Sequence, residues 1–144
     1  GDAVNTGTLT LSGTLASTNL TVGTLGTLNA GSGSFFPTTS VLTADGLVNL
    51  DNSAVEILTL LGAGTVNLNT TALTLGDGTF SGALNSTGSL VKVSDGLLTL
   101  SGVNGYTGTT TVAGGTLTLS GSLASSVLTV DGGATLNAVS GSYF

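Results

Sequence analysis

Leu and Val alternate with Thr, Ser and Asn over short runs through most of this chain, and clusters of Gly, Ser, Asp and Asn separate the runs. The pattern is clearest from Gly96 to Ala138, where Leu98/Leu100, Val112, Leu117/Leu119, Leu128/Val130 and Leu136 hold the apolar positions. A period of two predicts brief strands with one face in a core and the other in solvent, joined by tight turns. Further upstream it predicts strands at Gly7–Leu11, Leu20–Val22, Thr24–Ala30, Val41–Thr43, Gly46–Leu50, Gly64–Leu68, Ala72–Leu75, Thr79–Leu84 and Leu90–Val93. Within Thr24–Ala30, both Leu25 and Leu28 are expected to face inward. Val55–Leu61 is the most apolar run; a short helix would suit its composition, but β-branched neighbours and flanking Gly62 and Gly64 favour a strand.

Short strands that recur every 18 to 24 residues predict the composite turns of a coil rather than a sandwich. A longer recurrence lies over them. Gly7 through Phe36 matches Gly115 through Phe144 at a constant offset of about 108 residues, most positions being identical. Residues 1–36 and 109–144 thus read as equivalent parts of a repeat of roughly 108 residues, within a single segment spanning 1–144. The expected fold is all-β, a right-handed parallel β-helix of about seven coils and, at about 4.8 Å per coil, a rod roughly 35 Å long. Gly31–Ser40 is the least regular stretch and reads as a corner loop, with Phe35 and Phe36 placed to plug the core and Pro37 lacking a ladder donor.

The stretch GLLTLSGVNGYTGTTTVAGGTLTLSGSLA, residues 96–124, resembles the passenger-associated transport repeat, also called the autotransporter-associated β-strand repeat. The matching residues are Leu98-Thr99-Leu100-Ser101-Gly102, Asn104, Tyr106-Thr107-Gly108, Thr110-Thr111-Val112 and Gly115-Thr116-Leu117. With its lead-in the resemblance covers about Asp77 to Ala138. It implies a β-helix at the bacterial surface or outside the cell, and no particular activity.

Composition narrows the reading independently. Only 6% of the residues are charged while 40% are hydrophobic, so few charges keep an open strand edge soluble and the backbone must stay paired. The net charge is −6 and Lys92 is the only basic side chain, which argues against nucleic acid, since such binding needs several cations to displace counterions. No apolar run of 18 residues spans a membrane and no signal-peptide pattern is present; any export signal is expected outside these residues. Absence of Cys suits a secreted bacterial repeat exported without disulfides.

The carboxylates are Asp2, Asp45, Asp51, Glu56, Asp77, Asp95 and Asp131. Asp45, Asp77, Asp95 and Asp131 each precede Gly, which reads first as a turn dipeptide. The nonapeptide of calcium β-rolls is absent, so no metal site is expected. Asp51 and Glu56 are the one close acidic pair, but a spacing of five puts them on opposite faces of an ideal strand with no Arg or His nearby. Ser and Thr lack a His partner for nucleophilic catalysis. Tyr106 and Tyr143 read as packing or corner residues. No catalytic residue and no cofactor site is therefore expected.

Outward Thr pairs at Thr8/Thr10, Thr109/Thr111 and Thr116/Thr118 invite comparison with ice-binding ladders, but Asn49 and Asn67 occupy equivalent positions and interrupt them. Asn19, Asn69 and Asn85 begin glycosylation acceptors that are expected unmodified in a bacterial protein. The sequence thus points to a structural repeat segment forming a stalk, adhesin shaft or filament. The alternative is a module whose Thr/Asn-rich lateral face binds glycan or ice. The expected partners are further copies of the repeat stacked axially, in the same chain or another, with a glycan or cell surface as a lateral possibility.

Overall fold

The computed structural model of the chain describes residues 1–33, 36–37, 40–139, 141–142 and 144. The corner roles expected of Phe35 and Tyr143 fall outside those residues. Among the described residues the chain forms sixteen strands and no helix. In order they are β1 (Asp2–Leu11), β2 (Asn19–Ala30), β3 (Val41–Ala44), β4 (Leu47–Leu50), β5 (Ala54–Gly62), β6 (Thr65–Asn67), β7 (Ala72–Phe80) and β8 (Ala83–Asn85). They continue as β9 (Ser89–Lys92), β10 (Leu97–Leu100), β11 (Val103–Asn104), β12 (Thr110–Val112), β13 (Thr116–Leu119), β14 (Ser122–Leu123), β15 (Leu128–Val130) and β16 (Thr135–Ala138).

All their pairings are parallel, each strand lying on one 17 to 22 residues away, as in Leu73↔Leu90, Thr59↔Asp77 and Leu20↔Leu42. The chain is a β-helix with three lateral faces. The first face stacks residues 2–4, 20–22, β3, 59–62, 77–80, β10, β13 and β16. The second stacks residues 6–11, 25–30, β4, β6, β8, β11 and β14, seven layers and therefore about seven coils. The third stacks residues 54–57, 72–75, β9, β12 and β15.

Alternation explains which side chains fill the centre. Leu20, Leu42 and Leu60 form an inner column on the first face, continued after Gly78 by Leu98 and Leu117. Leu28, Val48, Val66 and Leu84 form another on the second. Burying each such side chain contributes about 1.5–3 kcal/mol, and stacking supplies the neighbours a lone coil lacks. Leu98, Leu100, Leu117 and Leu119 are fully buried, as the sequence pattern requires. Leu9 and Leu11 pack against the same core but remain partly exposed, their coil having a neighbour on one side only. Val55–Leu61 lies within strand β5, and Phe36 is buried.

Two expectations need correction. Leu25 is 75% exposed while Leu28 is buried, so the two do not share the inner face. Three residues separate them, and a period of two cannot turn both inward unless the chain spends an extra residue at a corner; that corner occupies Gly23–Gly26, and Leu25 is left outside. The strands are also not all brief. β1, β2, β5 and β7 run 9 to 12 residues and cross from one face to the next without breaking. In β5 the crossing shows as a phase shift: Val55, Ile57 and Leu60 are buried, while Leu58 and Thr59 both remain outside the core.

Glycine sets the corner between the first and second faces. Gly26, Gly46, Gly64, Gly82, Gly102 and Gly121 stack on one another, so that a Cβ on Gly64, Gly82, Gly102 or Gly121 would fall on the carbonyl oxygen of the glycine one coil below. These coils approach each other more closely there than any other residue permits.

Candidate functional site

The one basic side chain, Lys92, lies where the third face turns into the first. Ser89-Leu90-Val91-Lys92 alternates, and since Leu90 is buried, Lys92 points inward too. It occupies the column position held by Leu75 in the preceding coil and Val112 in the following one. Its ammonium donates to the carbonyl oxygens of Val93 (2.5 Å), Ser94 (3.0 Å) and Gly114 (3.2 Å), stitching two coils together. Gly115, at φ 63°, leaves the space: a Cβ there would lie 2.8 Å from the Lys92 nitrogen. Burial pushes the Lys92 pKa down, opposed in part by the charges of Asp77 and Asp95.

One face earlier, Tyr106 is buried with its hydroxyl 2.6 Å from Thr110 Oγ1. Thr110 donates to Ser125 Oγ at 2.9 Å, and Ser125 is itself within bonding distance of the Gly108 and Val127 carbonyls. Asn104, also buried, donates to the carbonyls of Gly102 and Ser122 and accepts from the Leu84 amide, linking three coils. Desolvation raises the Tyr106 pKa to about 12, with the Thr110 hydrogen bond acting in the opposite sense. Lys92, Asn104 and Thr110 each bond a neighbouring coil, and the Tyr106 hydroxyl is held by Thr110 within its own; none is aimed at solvent as a nucleophile or base would be.

The outer surface carries the second candidate. On the second face Thr10, Asn29, Asn49, Asn67 and Asn85 lie in register. Asn49 donates to Asn29 and Asn67 to Asn49, each at 2.8 Å, so Asn builds a ladder of its own where Thr was sought. A shallow groove beside it is lined by Thr10, Asn29, Asn49, Asp51 and Asn69. The first face has Thr21, Thr43, Thr79, Thr99 and Thr118 in one row, interrupted by Leu61 and ended by Asn137.

The carboxylates are dispersed. Asp45 accepts from the Ala63 amide (3.1 Å) and Asp77 from the Thr59 hydroxyl (2.5 Å), each tying its turn to an adjacent coil. Asp51 is exposed in a loop and Glu56 is exposed on the outside of β5. Sequence reasoning passed over Lys92 as a stitch and the Asn ladder as a unit. The first was signalled by the parity of Leu90 and Lys92, the second by the 18- to 20-residue spacing of Asn29, Asn49, Asn67 and Asn85.

Stacked coils, a packed centre and polar side chains turned to coil-to-coil bonds define a structural β-solenoid. From the end of its fifth coil into its seventh it is similar to a known repeat: residues 90–122 match the family model of the passenger-associated-transport-repeat. Those residues take in Lys92, Asn104 and Thr110, each of which bonds an adjacent coil, together with Tyr106 and Gly115. No curated protein and no solved structure matches the chain.

Proposed function

We propose that this chain is a structural, non-enzymatic stretch of a large extracellular or cell-surface bacterial protein, serving as a rigid shaft of stalk, adhesin or filament type. The observation that carries the reading is the use made of Lys92, Asn104, Tyr106 and Thr110, the chemistry-bearing side chains of the matched repeat: Lys92, Asn104 and Thr110 each bond an adjacent coil, and Tyr106 bonds Thr110. The match of residues 90–122 to a repeat of autotransporter passengers supports it. Deleting residues 59–76 removes one coil in register, because Thr59 pairs with Asp77. The full-length protein should then fold, shorten by about 4.8 Å and keep its surface display and any activity of its ends. A folded deletion variant that loses binding or turnover would overturn the shaft reading.

Exchanging the one close acidic pair, Asp51→Asn with Glu56→Gln, is expected to leave the biological role intact; a polysaccharide turnover that disappears with it would refute the non-enzymatic reading. The Thr10/Asn29/Asn49 groove suits a glycan better than ice, because its row is a hydrogen-bonded Asn ladder rather than a flat rank of Thr.

Axial stacking of further copies completes the proposal. Val4, Leu9 and Leu15 open the apolar centre at one end of the rod, and Val130 and Phe144 are exposed at the other. These strands present both apolar surface and unpaired ladder groups, which another coil satisfies. The isolated chain should therefore associate with concentration in light scattering, and a monodisperse monomer at high concentration would exclude axial self-association.

A further inference from the structure

The two copies of the internal repeat fold alike but face different ways. In the first copy Thr8, Leu9, Thr10 and Leu11 pair with Thr27, Leu28, Asn29 and Ala30. In the second, Thr116, Leu117, Thr118 and Leu119 pair with Thr135, Leu136, Asn137 and Ala138, every residue and every partner displaced by 108 positions. The adjoining strands agree: Asp2↔Leu20, Ala3↔Thr21 and Val4↔Val22 become Thr110↔Leu128, Thr111↔Thr129 and Val112↔Val130. Register and local pairing are thus conserved between the copies. Their place on the rod is not. Thr8–Leu11 lies on the second face, beneath β4 and β6, whereas Thr116–Leu119 lies on the first, in line with β10 and β3. The adjoining strands shift in the same sense, residues 20–22 being on the first face and β15 on the third.

We propose that the 108-residue repeat is a screw element: each copy carries the same lateral surface turned by one face, so that a continuing array displays that surface on its three sides in rotation. Seventeen faces separate Thr8–Leu11 from Thr116–Leu119, which at three faces per coil is five and two-thirds coils. A repeat of whole coils would line up its lateral features in one stripe and commit the rod to partners on one side. Two-thirds of a coil removes the stripe. Whatever the Asn-laddered second face binds is then met from three directions, and alignment returns after three repeats and seventeen coils, about 82 Å at about 4.8 Å per coil. The array-level statement rests on the shaft reading above; the rotation between the two copies rests on this chain alone.

Spin labels on cysteines introduced in the 144-residue chain separate these possibilities. Thr10→Cys with Asn85→Cys places two labels on the second face four coils apart, an expected separation of about 19 Å along the axis. Thr10→Cys with Thr118→Cys spans the offset. Its axial rise alone is about 27 Å, and the proposal requires a distance longer than that by the displacement across the rod. A Thr10–Thr118 distance equal to the axial rise, with the Thr10–Asn85 control in place, places both copies on one face and overturns the screw. A control pair that misses its distance overturns the coil stacking on which the screw depends. In the full-length protein, a periodicity of seventeen coils in averaged images of the rod supports the display on three sides. A shaft whose repeats align at every copy refutes it, while a protein with no extended shaft refutes the proposed function and leaves the rotation within this chain standing.

Discussion

Gly82→Ala and Gly102→Ala are each expected to cost about 3 kcal/mol or more, among the largest losses any single substitution in this chain produces. The added methyl on Gly82 meets the Gly64 carbonyl oxygen, and on Gly102 the Gly82 carbonyl oxygen. Neither obstacle is a side chain that can rotate away. Relief requires one coil to lift from the next, which breaks ladder bonds such as those from Ser81 and Ala83 to the coil below. Gly13→Ala is the control, since nothing lies within 4 Å of the added atom and the backbone there is not in the left-handed region. It should alter stability by no more than about 1 kcal/mol. Because a solenoid opens locally, the readout is urea titration by circular dichroism together with proteolysis mapped around residue 82. Equal behaviour of Gly82→Ala and Gly13→Ala would mean that the coils are not in contact along this corner.

The second large effect is at Tyr106. Tyr106→Ala empties a fully buried site and is expected to cost about 3–5 kcal/mol. It also takes the hydroxyl partner from Thr110. Tyr106→Phe keeps the ring and should cost about 1 kcal/mol. The conservative change has a further signature in pH. The phenol titrates at about 12 in the fold and near 10 when unfolded, so between those values the unfolded chain has released a proton that the folded chain still holds. Stability contributed by the buried neutral phenol is therefore complete below pH 10 and lost as pH climbs to 12, a loss of about 3 kcal/mol. Lys92 works in the opposite direction. Its pKa is lowered by burial, so below 10.5 there is a window in which the unfolded chain binds the proton more tightly and stability rises with pH. Tyr106→Phe should abolish the alkaline loss and leave the Lys92 contribution, and an unchanged alkaline midpoint would show that Tyr106 is not shielded in the core.

The period of two along Leu98/Leu100 and Leu117/Leu119 was enough to assign strand and inner face, and the recurrence of such strands every 18 to 24 residues supplied the parallel stacking, because alternation alone suits either pairing. The same rule misplaced Leu25. Corners consume residues without a periodic signature, and where Gly23–Gly26 turns, the parity of the next strand is reset. Gly and Asn were legible as turn formers and ladder breakers, each taken one position at a time. Their real partners lie a coil away, and only the spacing of Gly46, Gly64, Gly82, Gly102 and Gly121, or of Asn29, Asn49, Asn67 and Asn85, reveals a column. Lys92 was hidden by its chemistry: a lone cation reads as surface, while its phase with Leu90 puts it inside, where carbonyls replace water.

With its only lysine turned inward, the rod presents solvent with carboxylates alone among its side-chain charges. Side by side, two such rods behave as like-charged polyelectrolytes. At low ionic strength the repulsion acts over tens of ångströms, and at physiological salt it fades beyond about 8 Å. Close lateral packing of strand-rich, nearly uncharged surfaces is the arrangement most prone to fuse into sheets, so the sparse acids act as spacers whose reach the surrounding electrolyte sets. Brine shortens that reach and dilute water extends it, which makes the closest approach of any two such rods a property of the medium as much as of the protein.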